Sequence, residues 1–244
     1  MVNWKPLKNS LRHLRRRVYE FLGDDRYSRP SLYDLDRKLE KYLDFDGGFF
    51  VELGANDGYS QSNTYYFEAI RRWQGILIEP IPDACAAAAR LRRRSRVFNC
   101  ACVSFDYPHP YVEMTYGGLM SVVNGALRDP ALETAYTAQG SAFANAESYR
   151  IRVPARTLTA ILDEAQVQHI DLLSLDVEGS ELQVLKGLDF DRYRPRYMLV
   201  EAYFFREEIE AFLRDTYEVV EQLTGHDILY RWKQPPNVSA KTGG

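Results

Sequence analysis

The segment FFVELGANDGYS, Phe49 to Ser60, runs from an apolar stretch into a loop of Gly54, Ala55, Asn56, Asp57, Gly58 and Tyr59. A glycine-bearing turn between a strand and a helix brings backbone N–H groups to a ligand. A dinucleotide site uses G-x-G-x-x-G there, so that the chain can approach a pyrophosphate. Here Gly54 and Gly58 stand four apart and Asn56 takes the middle glycine's place. Asn tolerates positive φ better than other side-chain-bearing residues, so the turn survives. Asp57 opposes a phosphate: a carboxylate ~4 Å from a phosphate charge costs about 1 kcal/mol in water and roughly 4 kcal/mol at an effective dielectric of ~20. The same carboxylate suits a cation. S-adenosylmethionine, with a sulfonium, an ammonium and no phosphate, meets that requirement. Glu79, followed by Pro80, closes the next apolar run, where an acid can accept both ribose hydroxyls of an adenosine. That acid serves NAD equally, so Asp57 and the missing glycine separate the two cofactors.

A second acidic group lies in IDLLSLDVEG, which carries Asp176 and Glu178, and at Glu201, which ends the following apolar run. In extended chain Asp176 and Glu178 point the same way; a turn beginning at Val177 breaks that parity. Aligning a nucleophile with a methyl carbon contributes ~7–11 kcal/mol in favourable cases, and an alcohol nucleophile also benefits from a base that takes its proton. Asp176 is expected nearest the reacting methyl, with Glu178 or Glu201 as base or substrate clamp. The structural alternative places Glu178 and Glu181 at a helix N-terminus, where negative charge is favourable by ~0.3–1 kcal/mol; for Glu181 it is preferred. His109 and His226 are expected to be surface or hydrogen-bonded structural residues. No metal is required, although Asp176, Glu178 and a histidine would make an oxygen-rich site able to take magnesium.

These groups need elements to position them. Phe49 to Leu53, GILIEP and RVFNCACVS read as strands, with helices expected at about 61–73 and in DACAAAARLRRR. That alternation favours a parallel sheet covered on both faces. Between 105 and 149, Pro108, Pro110, Gly117, Gly118, Pro130 and Gly140 interrupt any period, which predicts an irregular insertion with strand and helical fragments, placed where a lid or substrate loop sits. Alternation returns with YRIRVPARTLTAILDEA, IDLLSLDVEG, SELQVLKGL and RYMLVEAYF. REEIEAFLRD then reads as a helix, and YEVVEQLTGHDILYRWK as a closing antiparallel hairpin. The expected organisation is an N-terminal helical segment over 1–46, one catalytic domain over 47–233 and a loose tail over 234–244.

Of the 244 residues, 45% are hydrophobic and 27% charged, ordinary for a globular chain with a substantial core, and the net charge of -3 gives no global case for nucleic acid. No stretch approaches the roughly 20 apolar residues of a membrane span, and no apolar signal core opens the chain. Cys85, Cys100 and Cys102 lack paired spacing, so reduced thiols and the cytosol are the default expectation. From 4 to 22, Trp4, Leu7, Leu11, Leu14, Val18, Phe21 and Leu22 fall at helical spacing among Lys5, Lys8, Arg12, Arg15, Arg16 and Arg17. This basic amphipathic helix is expected to dock its apolar stripe on the domain; the competing reading is attachment to an anionic membrane surface or a partner. A second arginine cluster runs from Arg90 to Arg96.

FFVELGANDGYS, GILIEPIPD, NCACVS, RTLTAILDE, IDLLSLDVEGSELQVLKGL and RPRYMLVEAYF follow one another in the order of the FkbM family of methyltransferases. The chain resembles that family from about Phe49 to Tyr230, most specifically in the first block and in LDVEGSELQVLKG. The resemblance implies an α/β, class I methyltransferase (Rossmann-like) fold. Its seven-stranded, mostly parallel sheet carries helices on both faces and a reversed C-terminal strand. It further implies S-adenosylmethionine as cofactor and O-methylation of a sugar, glycan or natural product. It maps Glu52, Gly54, Asn56, Asp57, Gly58 and Glu79 to the cofactor edge, with Ala101 and Ser104 beside them; Ala55, Tyr59, Pro80 and Asp176 complete the expected cofactor contacts. Helix 4–22 lies outside the pattern. The competing functions are a NAD-dependent oxidoreductase, a non-catalytic cofactor-binding module and, more weakly, a nucleic-acid methyltransferase.

Overall fold

The computed structural model describes residues 14–233; the expected helical positions 4–13 and the tail 234–244 lie outside the described residues. In chain order the helices are α1 (14–21), α2 (Leu35–Glu40), α3 (Tyr65–Ala69), α4 (Pro82–Leu91), α5 (Pro130–Ala144), α6 (Leu158–Ala165), α7 (Glu181–Leu185) and α8 (Arg206–Leu213). The strands are β1 (Phe49–Leu53), β2 (Gln74–Ile78), β3 (Ser95–Phe98), β4 (Ala101–Cys102), β5 (Tyr111–Tyr116), β6 (Val122–Val123), β7 (Tyr149–Arg156), β8 (Leu172–Leu175), β9 (Tyr197–Glu201), β10 (Tyr217–Gln222) and β11 (Asp227–Trp232).

Near-continuous apolar runs form the centre of a seven-stranded sheet in the order β10-β11-β9-β8-β1-β2-β3, as expected of strands buried on both faces. β11 is antiparallel to β9 and β10, while the pairs from β9 to β3 are parallel. This is the sheet with a reversed last strand that the family resemblance implies. Alternate residues serve opposite faces. Val51, Leu53, Ile76, Leu173 and Val200 pack with α6, α7 and α8; Phe50, Leu77, Leu172 and Leu199 pack with α2 and α3. From β1 the chain proceeds to β2 and β3 on one side, and later from β8 to β9 on the other. Their carboxyl ends therefore form the topological switch point at which open α/β sheets bind ligands.

The segment 105–149 is more regular than its prolines and glycines predict. β5 pairs antiparallel with β7 along its whole length and with β6, and β4 joins β7, making a second, four-stranded sheet. β7 therefore does not continue the parallel sheet, and the expected third strand RVFNCACVS divides into β3 in one sheet and β4 in the other. Pro130 starts α5, where Asp129 caps it by accepting from the Ala131 and Leu132 N–H groups at 2.8 and 3.3 Å. Gly140 lies inside α5 because a Cβ there would meet the Gly117 carbonyl oxygen at 2.0 Å. That glycine marks a close crossing rather than a helix break.

The expected helix at about 61–73 shortens to α3 because the residues before it serve a buried carboxylate. Glu52 accepts from the Ser62 hydroxyl at 3.0 Å, the Asn63 N–H at 2.8 Å and the Thr64 hydroxyl at 2.6 Å. The Arg92 guanidinium, with a side chain 1% exposed, lies 3.5 Å from Glu52 and 2.8 Å from Glu68. Glu52, expected at the cofactor edge, is thus turned into the fold beneath the first loop. α1 also departs from expectation: Arg16 is buried over the rings of Tyr59 and Tyr65, and the apolar stripe faces away from the domain.

Replacing Arg92 leaves Glu52 and Glu68 buried without their cation, a class of change that costs ~3–5 kcal/mol. Arg92→Met is expected to lower the denaturation midpoint by that equivalent, whereas Arg93→Met at an exposed neighbour stays within about 0.5 kcal/mol of the parent in the same urea titration.

Candidate active site

The loops after β1, β2 and β8 meet the underside of the second sheet around a cavity of about 430 Å³. At its floor Gly54 has φ +77°, and a Cβ there would stand 1.9 Å from the Asp176 carbonyl oxygen. Only glycine lets these two backbones cross. Asn56 adopts φ +47°, the conformation expected of the residue in the middle glycine's place. Its N–H donates to Glu79 Oε2 at 2.8 Å, and the Ile81 N–H donates to Oε1 at 2.8 Å. A carboxylate has about four lone-pair sites, so Glu79 keeps acceptor capacity on the cavity side. Burial outweighs the two N–H donors and, with the Asp57 charge nearby, pushes its pKa up to about 7.

Asp57 does not form the cavity lip. Its Oδ1 accepts from the Tyr59 and Ser60 N–H groups at 2.9 and 2.7 Å and its Oδ2 from the Ser60 hydroxyl at 2.8 Å, so the carboxylate folds its own turn. Tyr59 points away, its hydroxyl donating to the Tyr27 carbonyl at 2.8 Å. Ala55 is buried among the core residues behind β1, and Gly58 backs onto Ala88 and Arg92. Ser104 donates to Asp106 and is absent from the cavity wall, whereas Ala101 and Pro80 line it. Of the residues expected at the cofactor edge, Gly54, Asn56, Glu79, Pro80, Ala101 and Asp176 line the cavity.

At the other end β8 stops at Leu175, and Glu178 (φ 55°) and Gly179 (φ 92°) turn the chain through left-handed conformations. The extended parity proposed for Asp176 and Glu178 therefore does not hold; the turn itself gathers the acids. Glu181 locks it by accepting from the Val177 and Gly179 N–H groups at 3.0 and 3.1 Å, the structural role expected of that residue. Asp176, Glu178 and Glu201 each present an oxygen, all within 4.8 Å of one another. Burial and mutual repulsion keep protons on this group. The Asp176 carboxyl is pushed well up by burial and then by Glu201, Glu178 is raised to about 8 by burial and then Asp176, and Glu201 to about 8 by burial and then Glu178. Such acids titrate as a set.

The second sheet and α5 supply residues that no spacing in the sequence marks. The Tyr136 hydroxyl donates to Glu178 Oε2. Tyr116 and Tyr149, paired across β5 and β7, stack with centroids 4.7 Å apart on the cavity wall beside Met114 and Leu119. His226 lies with Nε2 3.6 Å from Glu201 Oε1 and 3.6 Å from Asp227 Oδ2; His109 is exposed and does not line the cavity. Four acids, Glu79, Asp83, Asp176 and Glu178, line the cavity, and among the described residues no lysine, arginine or histidine does.

A model of the methyltransferase FkbM domain matches residues 52–230. Similar solved structures include a methyltransferase FkbM from Methylobacillus flagellatus KT. It is 16% identical with a TM-score of 0.44, over 77% of this chain and 44% of that one. A SAM-dependent methyltransferase from Aquifex aeolicus is 11% identical with a TM-score of 0.44, over 85% and 93% of the two chains. An RNA methyltransferase from Salinibacter ruber, in complex with S-adenosyl-L-homocysteine, is 13% identical with a TM-score of 0.40, over 88% and 99%. This chain thus spans less than half the length of the Methylobacillus one. No curated protein matches the sequence.

The raised carboxyls set a direction for stability. A group whose folded pKa lies above its unfolded value stabilises fully below the unfolded value and loses that contribution as pH rises through the folded one. For Glu178 and Glu201 the window runs from the ordinary carboxyl value of 4.5 up to about 8. The melting temperature of the ligand-free protein is therefore expected to fall across this window, and Glu178→Gln with Glu201→Gln to flatten the slope. A melting temperature that rises with pH in the parent protein would contradict the assigned protonation.

Proposed function

We propose, on the premise that the chain belongs to the FkbM methyltransferase family, that the cavity transfers a methyl group from S-adenosylmethionine to a hydroxyl oxygen. The acceptor is an uncharged sugar, glycan or other hydroxyl-bearing natural product. The observation that carries this reading is the make-up of the wall: four carboxyl groups and no cationic side chain among its described residues. A pyrophosphate entering there would face like charge at every acid that ionises, at roughly 4 kcal/mol for a pair ~4 Å apart at an effective dielectric of ~20. The sulfonium and ammonium of S-adenosylmethionine would be attracted. The same wall disfavours phosphorylated acceptors.

The residues present fit that cofactor. Asn56 and Gly54 provide a close backbone approach, Glu79 retains acceptor capacity for ribose hydroxyls, and Asp176 carries its carboxyl beyond the loop crossing. When bound, the cofactor supplies an electrophilic methyl group on a positively charged sulfur. The chain's own work is to orient the acceptor and take its proton. Tyr116, Tyr149, Met114 and Leu119 offer an aromatic and apolar wall to the acceptor body. Glu178 lines the cavity and holds a hydrogen bond from Tyr136 that positions it, which makes it the base; Asp176 beside it is the acid nearest the reacting methyl. Glu201 does not line the cavity and acts on these two through charge. The Glu178 carboxylate would take the proton that the acceptor hydroxyl gives up.

S-adenosylmethionine at 100 times its dissociation constant should stabilise the protein by about 2.7 kcal/mol, visible as a higher melting temperature, while NAD at the same concentration leaves it unchanged. The opposite pattern would establish the oxidoreductase alternative. In a radiolabelled methyl-transfer screen over neutral hydroxyl acceptors, Glu178→Gln is expected to lower turnover by ~10²–10⁴-fold, the usual contribution of a positioned base. The parent rate should rise with pH towards about 8 as Glu178 ionises, and Glu178→Gln should lose that rise. Asp176→Asn with unchanged cofactor affinity and unchanged rate would remove Asp176 from the site.

A further inference from the structure

α1 is docked the wrong way round for a helix that serves only its own domain. Its charged side faces inward: Arg16 is buried over Tyr59 at 4.0 Å and Tyr65 at 4.8 Å, and Glu20 accepts from the Ser28 and Tyr65 hydroxyls at 2.8 Å. Its apolar side is left outward, with Leu14 61%, Val18 49%, Phe21 90% and Leu22 70% exposed. These four fall on one helical stripe, and the exposed Arg15 and Arg17 flank it on either side. An apolar stripe of this size on a short surface helix marks a contact surface.

We propose that this face of α1 is an interfacial anchor that lies on an anionic lipid bilayer. Charge complementarity selects that occupant. The stripe is bordered by arginines, and in the sequence the same spacing continues upstream through Trp4, Leu7 and Leu11, interleaved with Lys5, Lys8 and Arg12. Aromatic and aliphatic residues on one side with lysine and arginine beside them are the composition of helices that rest at the headgroup boundary. The polar residues 234–244, QPPNVSAKTGG, offer one valine as apolar cover. Among the described residues no helix is long and apolar enough to cross a membrane, so the attachment is peripheral. Its rigid mounting follows from Arg16 and Glu20, which join α1 to Tyr59 and Tyr65 beside the first loop. The surface is independent of the proposed methyl transfer.

The test is co-sedimentation of the full chain with vesicles of phosphatidylcholine containing one-third phosphatidylglycerol, against vesicles of phosphatidylcholine alone. The protein is expected to pellet with the anionic vesicles only, and less as salt is raised. Phe21→Glu and Leu22→Glu should each weaken partitioning at least tenfold, and Arg17→Gln about fivefold, the share of one basic side chain near an anionic surface. Because these side chains are exposed, their melting temperatures should match the parent's; Val18→Asn provides a milder replacement should a glutamate variant fail to fold. Three results would overturn the proposal: no pelleting, equal pelleting with neutral vesicles, or a solution dimer that Phe21→Glu converts to monomer, which would make a second copy the occupant.

Discussion

The closest approach on which the site depends is between two backbones: the Gly54 α-carbon and the Asp176 carbonyl, where even a methyl group would collide. The crossing ties the loop after β1 to the loop after β8 at the switch point of the sheet. Gly54 and Ala55 donate to the Ile78 carbonyl at 3.1 and 3.3 Å, so the β1–β2 ladder runs into the loop without a break. From that fixed start Asn56 reaches Glu79, and Asp176 is delivered to the cavity. Both ends of the cavity are therefore positioned by strands rather than by mobile connections, which suits a reaction whose rate depends on alignment.

Buried carboxylates appear in two environments, and the contrast separates structure from chemistry. Glu52 is compensated by Arg92, two hydroxyls and an N–H, a complete internal solution to the cost of burying charge. Among the described residues Asp176, Glu178 and Glu201 have no lysine or arginine ion-pair partner, and they respond by holding protons. Residues of one chemical type thus act as a staple in one place and as a responsive group in another. Titratable groups whose environments push them away from their ordinary values are candidates for proton transfer.

Local pattern carried the parallel core: β1, β2, β8 and β9 are short apolar runs bounded by turn residues, and both acid clusters follow from where those runs end. Contacts between distant segments carried the rest. Gly117 and Gly140 punctuate the sequence like loop residues, yet they are there because α5 crosses the β5–β6 connection. β7 has the composition of any strand, and nothing within it records that its partner is β5 rather than the parallel sheet. Asp57 was legible as an acid in the first loop, but the direction of its carboxylate depends on two N–H groups that appear only once the turn is closed. The acids on the cavity wall are instead Glu79, Asp83, Asp176 and Glu178. α1 shows the same limit: spacing identifies a stripe and cannot say which side docks.

The division between the two sheets gives the cavity two differently constrained walls. The floor belongs to the parallel sheet, where Gly54 and Gly58 meet backbone and core atoms directly. The roof belongs to the second sheet, with its own small core of Ala101, Val103, Val112, Met114 and Val153. It meets the floor side through links that include Tyr136 to Glu178 and Arg128 to Glu208 at 2.7 Å. Substitutions at Tyr116, Leu119 or Tyr149 can reshape the roof without disturbing the strands that carry Asn56, Glu79 and Asp176. A fold arranged this way separates the wall that the strands fix from the wall that can be changed without disturbing them.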